Sequence, residues 1–437
     1  GYIEVRGFVF EHCANQFPAQ FWQKASNAQS GMVGTRGGHH WVIADNIIRY
    51  AKSVGLTFGV SGGRSGAVYD NERPAQAEPD REQSGFHRIE GNIIYANGAV
   101  GAMGCGHRDV LIRRNLFLDN NRLQNTAYET GGIKTHQAFG LRIEKNWFVD
   151  NRCMGVWLDN TWRNCRVSRN VFVNNRGRGL FLEMDDNTPE TACLVDCNVF
   201  LNGPPRFNPG GKPDESRTIP TRPWSVGVYG HDADGVRCVR NLIAGDGYGF
   251  YFRKITNRKG GAAYIEATGN LLIGDDMTAV CLPADRPPTV HDNRFEANVY
   301  PGTSADARFV VTAWCSDTGR KLPELLQRIE ATIRGWGDDP VPFANPEQAP
   351  DGYRLTLEQW RRLTGFDARS VAVRSRCVLD RNTWTLTLTL PAEAARVSVT
   401  RDPRVTIDLL GTPFTGDEPP GPFAGWKGET AVFSLPK

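Results

Sequence analysis

The sequence has little excess charge: 51 Lys and Arg stand against 48 Asp and Glu, a net +3 over 437 residues. Nothing in that balance points to a nucleic-acid or membrane partner. No apolar run is long enough to span a bilayer. The 10 cysteines form no CxxC pair and no zinc spacing. They read as buried reduced thiols, which makes a cytoplasmic location the expectation. No signal-peptide pattern is read in the opening residues, and little is expected to follow from that. The chain opens on Gly1-Tyr2-Ile3-Glu4-Val5, which reads as a strand already inside a fold. It is therefore expected to begin with earlier segments missing.

What the sequence has is a repeat. An Asn followed by apolar residues recurs at Asn46, Asn92, Asn115, Asn146, Asn170, Asn198, Asn241, Asn270 and Asn293, with Gly7 holding the same place at the start. The tightest spacings are 23 and 24 residues. A unit this short cannot close a core alone, so copies must stack. Each unit reads as strand, bend, strand, turn, strand, the coil of a right-handed parallel β-helix. Ile143, Trp147, Val167 and Val171 would alternate inward. The Asn column reads as scaffold, because Asn tolerates a left-handed bend and its amide can bond the next Asn. A leucine-rich solenoid would need repeated Leu spacing and helices, and neither is present.

Residues 62–85 and 203–223 are polar and rich in Gly and Pro, and read as loops leaving the coil edge. Residues 1–302 are thus expected to form the all-β catalytic solenoid. Residues 303–437 change character and read as a small α/β cap with two short helices and strands. Helix is expected over Pro323–Gly335, and from the capping box Thr356–Gln359 to Gly365. Residues 383–390 and 396–401 alternate as strands. Such a cap would cover the unpaired end of a β-helix.

Two runs share one shape: Gly155-Val156-Trp157-Leu158-Asp159 and Gly179-Leu180-Phe181-Leu182-Glu183. Three more end the same way, in His136, His231 and Arg253. Stacked coil on coil, these positions form a ladder of ionisable side chains at strand ends. Adjacent strands lie about 4.8 Å apart. That is close to the roughly 5–5.5 Å between the carboxyls of a retaining glycosidase. One acid would attack the anomeric carbon, and the other, its pKa raised by its neighbour, would protonate the leaving oxygen. Two stacked acids with no compensating cation would otherwise cost stability. Trp157, Trp162, Phe181 and Tyr229 would offer faces to a sugar. By two-residue spacing Lys134 shares the face of His136 and can reach the same sugar, and His40 lies in an early coil near that edge. No cofactor is expected. Asp185-Asp186-Asn187 could hold Ca²⁺, but no complete ligand set is visible.

At these residues the chain resembles glycoside hydrolase family 120, β-xylosidases with a right-handed parallel β-helix of the pectin-lyase-like kind. The similarity spans most of residues 1–300. It is sharpest in Trp157-Leu158-Asp159 and Phe181-Leu182-Glu183. The resemblance implies a retaining, exo-acting enzyme on β-linked xylosides, with Asp159 as nucleophile and Glu183 as acid/base. It further implies Glu129 as a substrate-binding acid, His136 as a sugar contact, an oligosaccharide substrate and a homo-oligomer. Two rivals stand beside it. One is a polysaccharide lyase on a uronate polymer, favoured only by Arg253 and the histidines. The other is a non-catalytic carbohydrate-binding solenoid.

Overall fold

The computed structural model describes residues 1–15, 31–35, 37–59, 84–125, 130–202, 225–245, 247–254, 259–285, 289–306, 308–313, 322–343, 352–416, 418–426 and 429–436. The chain forms two compact units, one of residues 1–193 with 201–225, the other of 194–200 with 226–437. The boundary expected at residue 302 falls inside the second.

The first unit coils through three parallel sheets. Its first sheet stacks Glu4–Arg6, Val42–Ala44, Arg88–Glu90, Leu111–Arg113, Arg142–Glu144 and Arg166–Ser168. The second runs from Val9–Glu11 to Val171–Val173. The third has the longest strands, among them Val100–Arg108, Gly131–Phe139, Met154–Arg163 and Arg178–Asp185. Strands three residues long have one inward side chain each, so Ile89, Ile112, Ile143 and Val167 make one buried file. Phe117, Phe148 and Phe172 make another, their rings parallel at 4.9 and 4.7 Å.

The Asn column is a hydrogen-bonded ladder. Each side-chain amide donates to the next Asn, from Asn46 through Asn92, Asn115 and Asn146 to Asn170, at 2.9 or 3.0 Å. A second ladder, five residues further on, links Asn97, Asn120, Asn151 and Asn175. The left-handed bend belongs to the preceding residue instead: Asp45, Gly91, Arg114, Lys145 and Arg169 have φ between 53° and 66°. The Asn keeps ordinary backbone and uses its amide. Two assignments therefore move. Gly7 is a bend residue, since it is Phe8 whose N–H donates to Asn46. In the second unit the ladder from Asn198 through Asn241 and Asn270 ends on Asn298, not Asn293. Asn293 instead accepts from the Ile265 N–H at 2.8 Å.

The second unit has the same three-sheet coil, and its third sheet is extended by antiparallel strands Gly352–Leu355 and Val341–Phe343. Helices occupy Pro323–Gly335 and Leu357–Thr364. The second carries the Thr356–Gln359 capping box and ends at Gly365, φ 75°. A third, Ala392–Ala395, is a single turn. Thr385–Thr389 is the middle strand of an antiparallel sheet between Arg376–Asp380 and Thr430–Ser434. Residues 396–401 form no strand. Their alternation is real, with Val397 and Val399 buried, but Val399 packs over Gly269 and the strand partner comes from residues 430–434. Among the described residues no helix is long and apolar enough to cross a membrane. The nine described cysteines are all free.

Candidate active site

Strand pairing places His136 opposite Asp159, and Asp159 opposite Glu183. Val156, Leu158, Leu180 and Leu182 are fully buried and point inward. Alternation turns Lys134 and His136, Trp157 and Asp159, Phe181 and Glu183 to the outer face of the third sheet. Two files result. One is Lys134, Trp157, Phe181; the other is His136, Asp159, Glu183. The indole of Trp157 stacks on Phe181 at 4.8 Å and 22°.

The files are tied by charge. Lys134 Nζ lies 2.6 Å from Asp159 Oδ2 and 3.4 Å from the centroid of the Trp157 ring. His136 Nδ1 is 3.6 Å from the same oxygen. Asp159 Oδ1 is buried and accepts no hydrogen bond among the described residues. The acid column is thus not an uncompensated stack, because the cation assumed absent is Lys134.

A corner follows the column. Gln137, Asn160 and Met184, each one residue past a column member, are left-handed, with φ of 47°, 48° and 52°. Thr161 follows at φ 81°, an uncommon conformation for a β-branched residue. Pairing shifts here, Ala138 opposing Trp162, so the Asp159 coil has one residue more than its neighbour. This is a β-bulge, which re-aims the side chains around it. It overturns one expectation: Trp162 turns inward, is fully buried, and has no face for a sugar. Its indole N–H donates to the Glu183 carbonyl at 2.9 Å, bracing the second acid's backbone.

Asp185 and Asn187 complete that brace. Asp185 accepts the Trp162 backbone N–H, and Asn187 Nδ2 donates to the Trp162 carbonyl at 2.9 Å. Burial pushes the Asp185 carboxyl up to about 7. Asp186 takes Arg163 at 2.8 Å. The stretch read as a calcium candidate is occupied in holding the corner. Only the alternation of Leu182 and Met184 with polar residues could have signalled Asp185.

His40 stacks on Phe86 at 4.8 Å and on Tyr2 at 4.9 Å. Its neighbour His39 bridges Gly85, which bridges Arg108, whose row continues through Phe139 to Arg163. Four strand spacings, roughly 19 Å, separate that position from the Asp159 coil, so His40 is not at the acids. Glu129 lies outside the described residues. In the second unit His231 pairs in register with Arg253. His231 Nε2 is 3.6 Å from Asp232, and Arg253 donates to the Tyr229 hydroxyl at 3.5 Å.

The family described as "Right handed beta helix region" matches residues 30–200. A solved structure, described as the complex of XylC with xylose, superposes with a TM-score of 0.57 at 19% identity, covering 99% of this chain. The fold is a right-handed parallel β-helix. This chain spans 66% of the length of that structure. No curated protein matches the chain.

Proposed function

We propose that the chain is a retaining glycoside hydrolase acting from the end of β-linked xylosides or xylo-oligosaccharides. The observation that carries this reading is the register of Asp159 against Glu183 on one sheet face, beside the Trp157–Phe181 stack. The likeness to a fold solved with xylose and the family 120 resemblance support the sugar. In the first step Asp159 Oδ1, whose lone pairs are uncommitted, attacks the anomeric carbon. The glycosidic C–O bond breaks, and the Glu183 carboxyl gives its proton to the departing oxygen. In the second step Glu183, now a carboxylate, takes a proton from water. The water oxygen attacks the same carbon and Asp159 departs, so configuration is kept. Lys134 gives Oδ2 a charge-assisted hydrogen bond and fixes the rotamer of Asp159. His136 and Glu129 are assigned to sugar hydroxyls.

The test is proton NMR of the first sugar released from an aryl β-xyloside. The β anomer is expected first. The α anomer first, or no hydrolysis by the wild type across a panel of aryl glycosides, overturns the reading.

A further inference from the structure

The first sheet of the first unit, a different sheet from the one that bears the acids, carries cations in excess. From its third strand on, the outward strand positions are Arg88 and Glu90, Leu111 and Arg113, Arg142 and Glu144, Arg166 and Ser168, in register. The bend after each of the last three strands adds Arg114, Lys145 and Arg169. That makes seven cations against two acids over these four coils; with Arg6, Glu4 and Asp45 of the two coils before them the sheet holds eight against four. The acids are already shared. Glu90 binds Arg88 at 2.6 Å, Arg113 at 2.7 Å and Arg114 at 3.5 Å. Glu144 binds Arg142 at 3.0 Å and Arg169 at 3.5 Å.

Arg114, Lys145 and Arg169 sit on successive coils, about 4.8 Å apart. Like charges at that spacing repel. Each is also left-handed, φ 53°, 56° and 55°, at a position where Gly91 in the preceding coil bears no such strain. Lys145 has no ion pair among the described residues, and desolvation, then Arg169 and Arg114, lower its pKa. Arg114 and Arg169 each reach a glutamate of the row, but those glutamates are shared with other arginines, so positive charge is left over for a partner.

We propose that this face binds a linear anionic glycan with a carboxylate on successive sugars, laid along the coil axis. A guanidinium fork matches a planar carboxylate with two hydrogen bonds. A file one side chain wide, with one charge per coil, suits a single extended chain better than a duplex or a bilayer, which spread charge over a broad area. The choice of a glycan rests on the glycosidase reading; the charge and geometry of the row do not.

Affinity electrophoresis tests it, with polygalacturonate or its fully methyl-esterified form in the gel. The wild type is expected to be retarded by the acid polymer, less so as salt rises, and not by the ester. The variant Arg114→Gln/Lys145→Gln/Arg169→Gln should bind about tenfold more weakly, with its thermal midpoint unchanged or higher. Equal retardation by acid and ester overturns the proposal and needs no variant. So does tighter binding of single-stranded DNA or phosphatidylserine vesicles run in parallel, or undiminished binding by the triple variant. Turnover is scored separately on an aryl glycoside. Binding without turnover sinks only the glycosidase reading, and turnover without binding sinks only this one.

Discussion

Lys134 and Asp159 form an ion pair of 2.6 Å between two side chains that are almost wholly closed to solvent. They stand one coil apart, with the Trp157 ring against the ammonium. A pair in this setting is costly to break and cheap to remove whole, because breaking it strands a buried charge.

Lys134→Met should destabilise the first unit by about 3–5 kcal/mol. Adding Asp159→Asn should restore most of that loss. Urea denaturation of the two variants measures it. If the double variant is no more stable than Lys134→Met, the pair is not what holds these strands.

Glu183→Gln should separate substrates by leaving group. Aryl xylosides with acidic phenols need no proton and should lose little in the bond-breaking step. Alkyl xylosides and xylobiose should lose roughly 10²–10⁴-fold. Equal losses on all three would remove Glu183 from the acid role.

Asn146→Ala should cost about 3 kcal/mol or more. The Asn146 side chain accepts from the Asn115 backbone and side-chain amides and donates to the Ile112 carbonyl and to Asn170. Its loss orphans buried groups in two coils. A midpoint shift of less than half that size would mean water enters the ladder.

Stability should depend on pH through Asp185. Its folded pKa is raised from 3.8 to about 7 by burial, so the native state holds a proton the unfolded chain has lost. That contribution is present below about pH 4 and disappears as pH rises to about 7, on the order of 4 kcal/mol. His107, lowered to about 3 by burial, acts oppositely, adding stability as pH climbs toward 6.5. Asp185→Asn should remove the loss between about pH 4 and 7, so that stability at pH 8 rises relative to pH 5. Unfolding at pH 5 and pH 8 checks this, and an unchanged slope between them refutes it.

The coil was legible because it is written locally. Three-residue strands with one inward apolar residue, and an Asn near every 24th position, can be read without knowing what they touch. In-register stacking then carries each pattern to the next coil. That is why the rows through His136, Asp159 and Glu183 followed from one shared shape, a glycine with an ionisable residue four positions on.

Features with no periodic signature were decided by the folded chain. Thr161 is one residue too many in its coil, and that bulge sends Trp162 inward. Nothing in a repeat marks which copy is bulged. Asn298, not Asn293, closes the ladder of the second unit, because both positions recur and only the strand pairing of Leu271 with Val299 chooses between them. Residues 396–401 alternate like a strand, yet Thr430–Ser434 took the place beside Thr385–Thr389. A strand needs an edge as well as a pattern. The Lys134 counter-charge and the cation row on the first sheet likewise exist only once coils are stacked, since each couples residues that the sequence holds more than 20 positions apart.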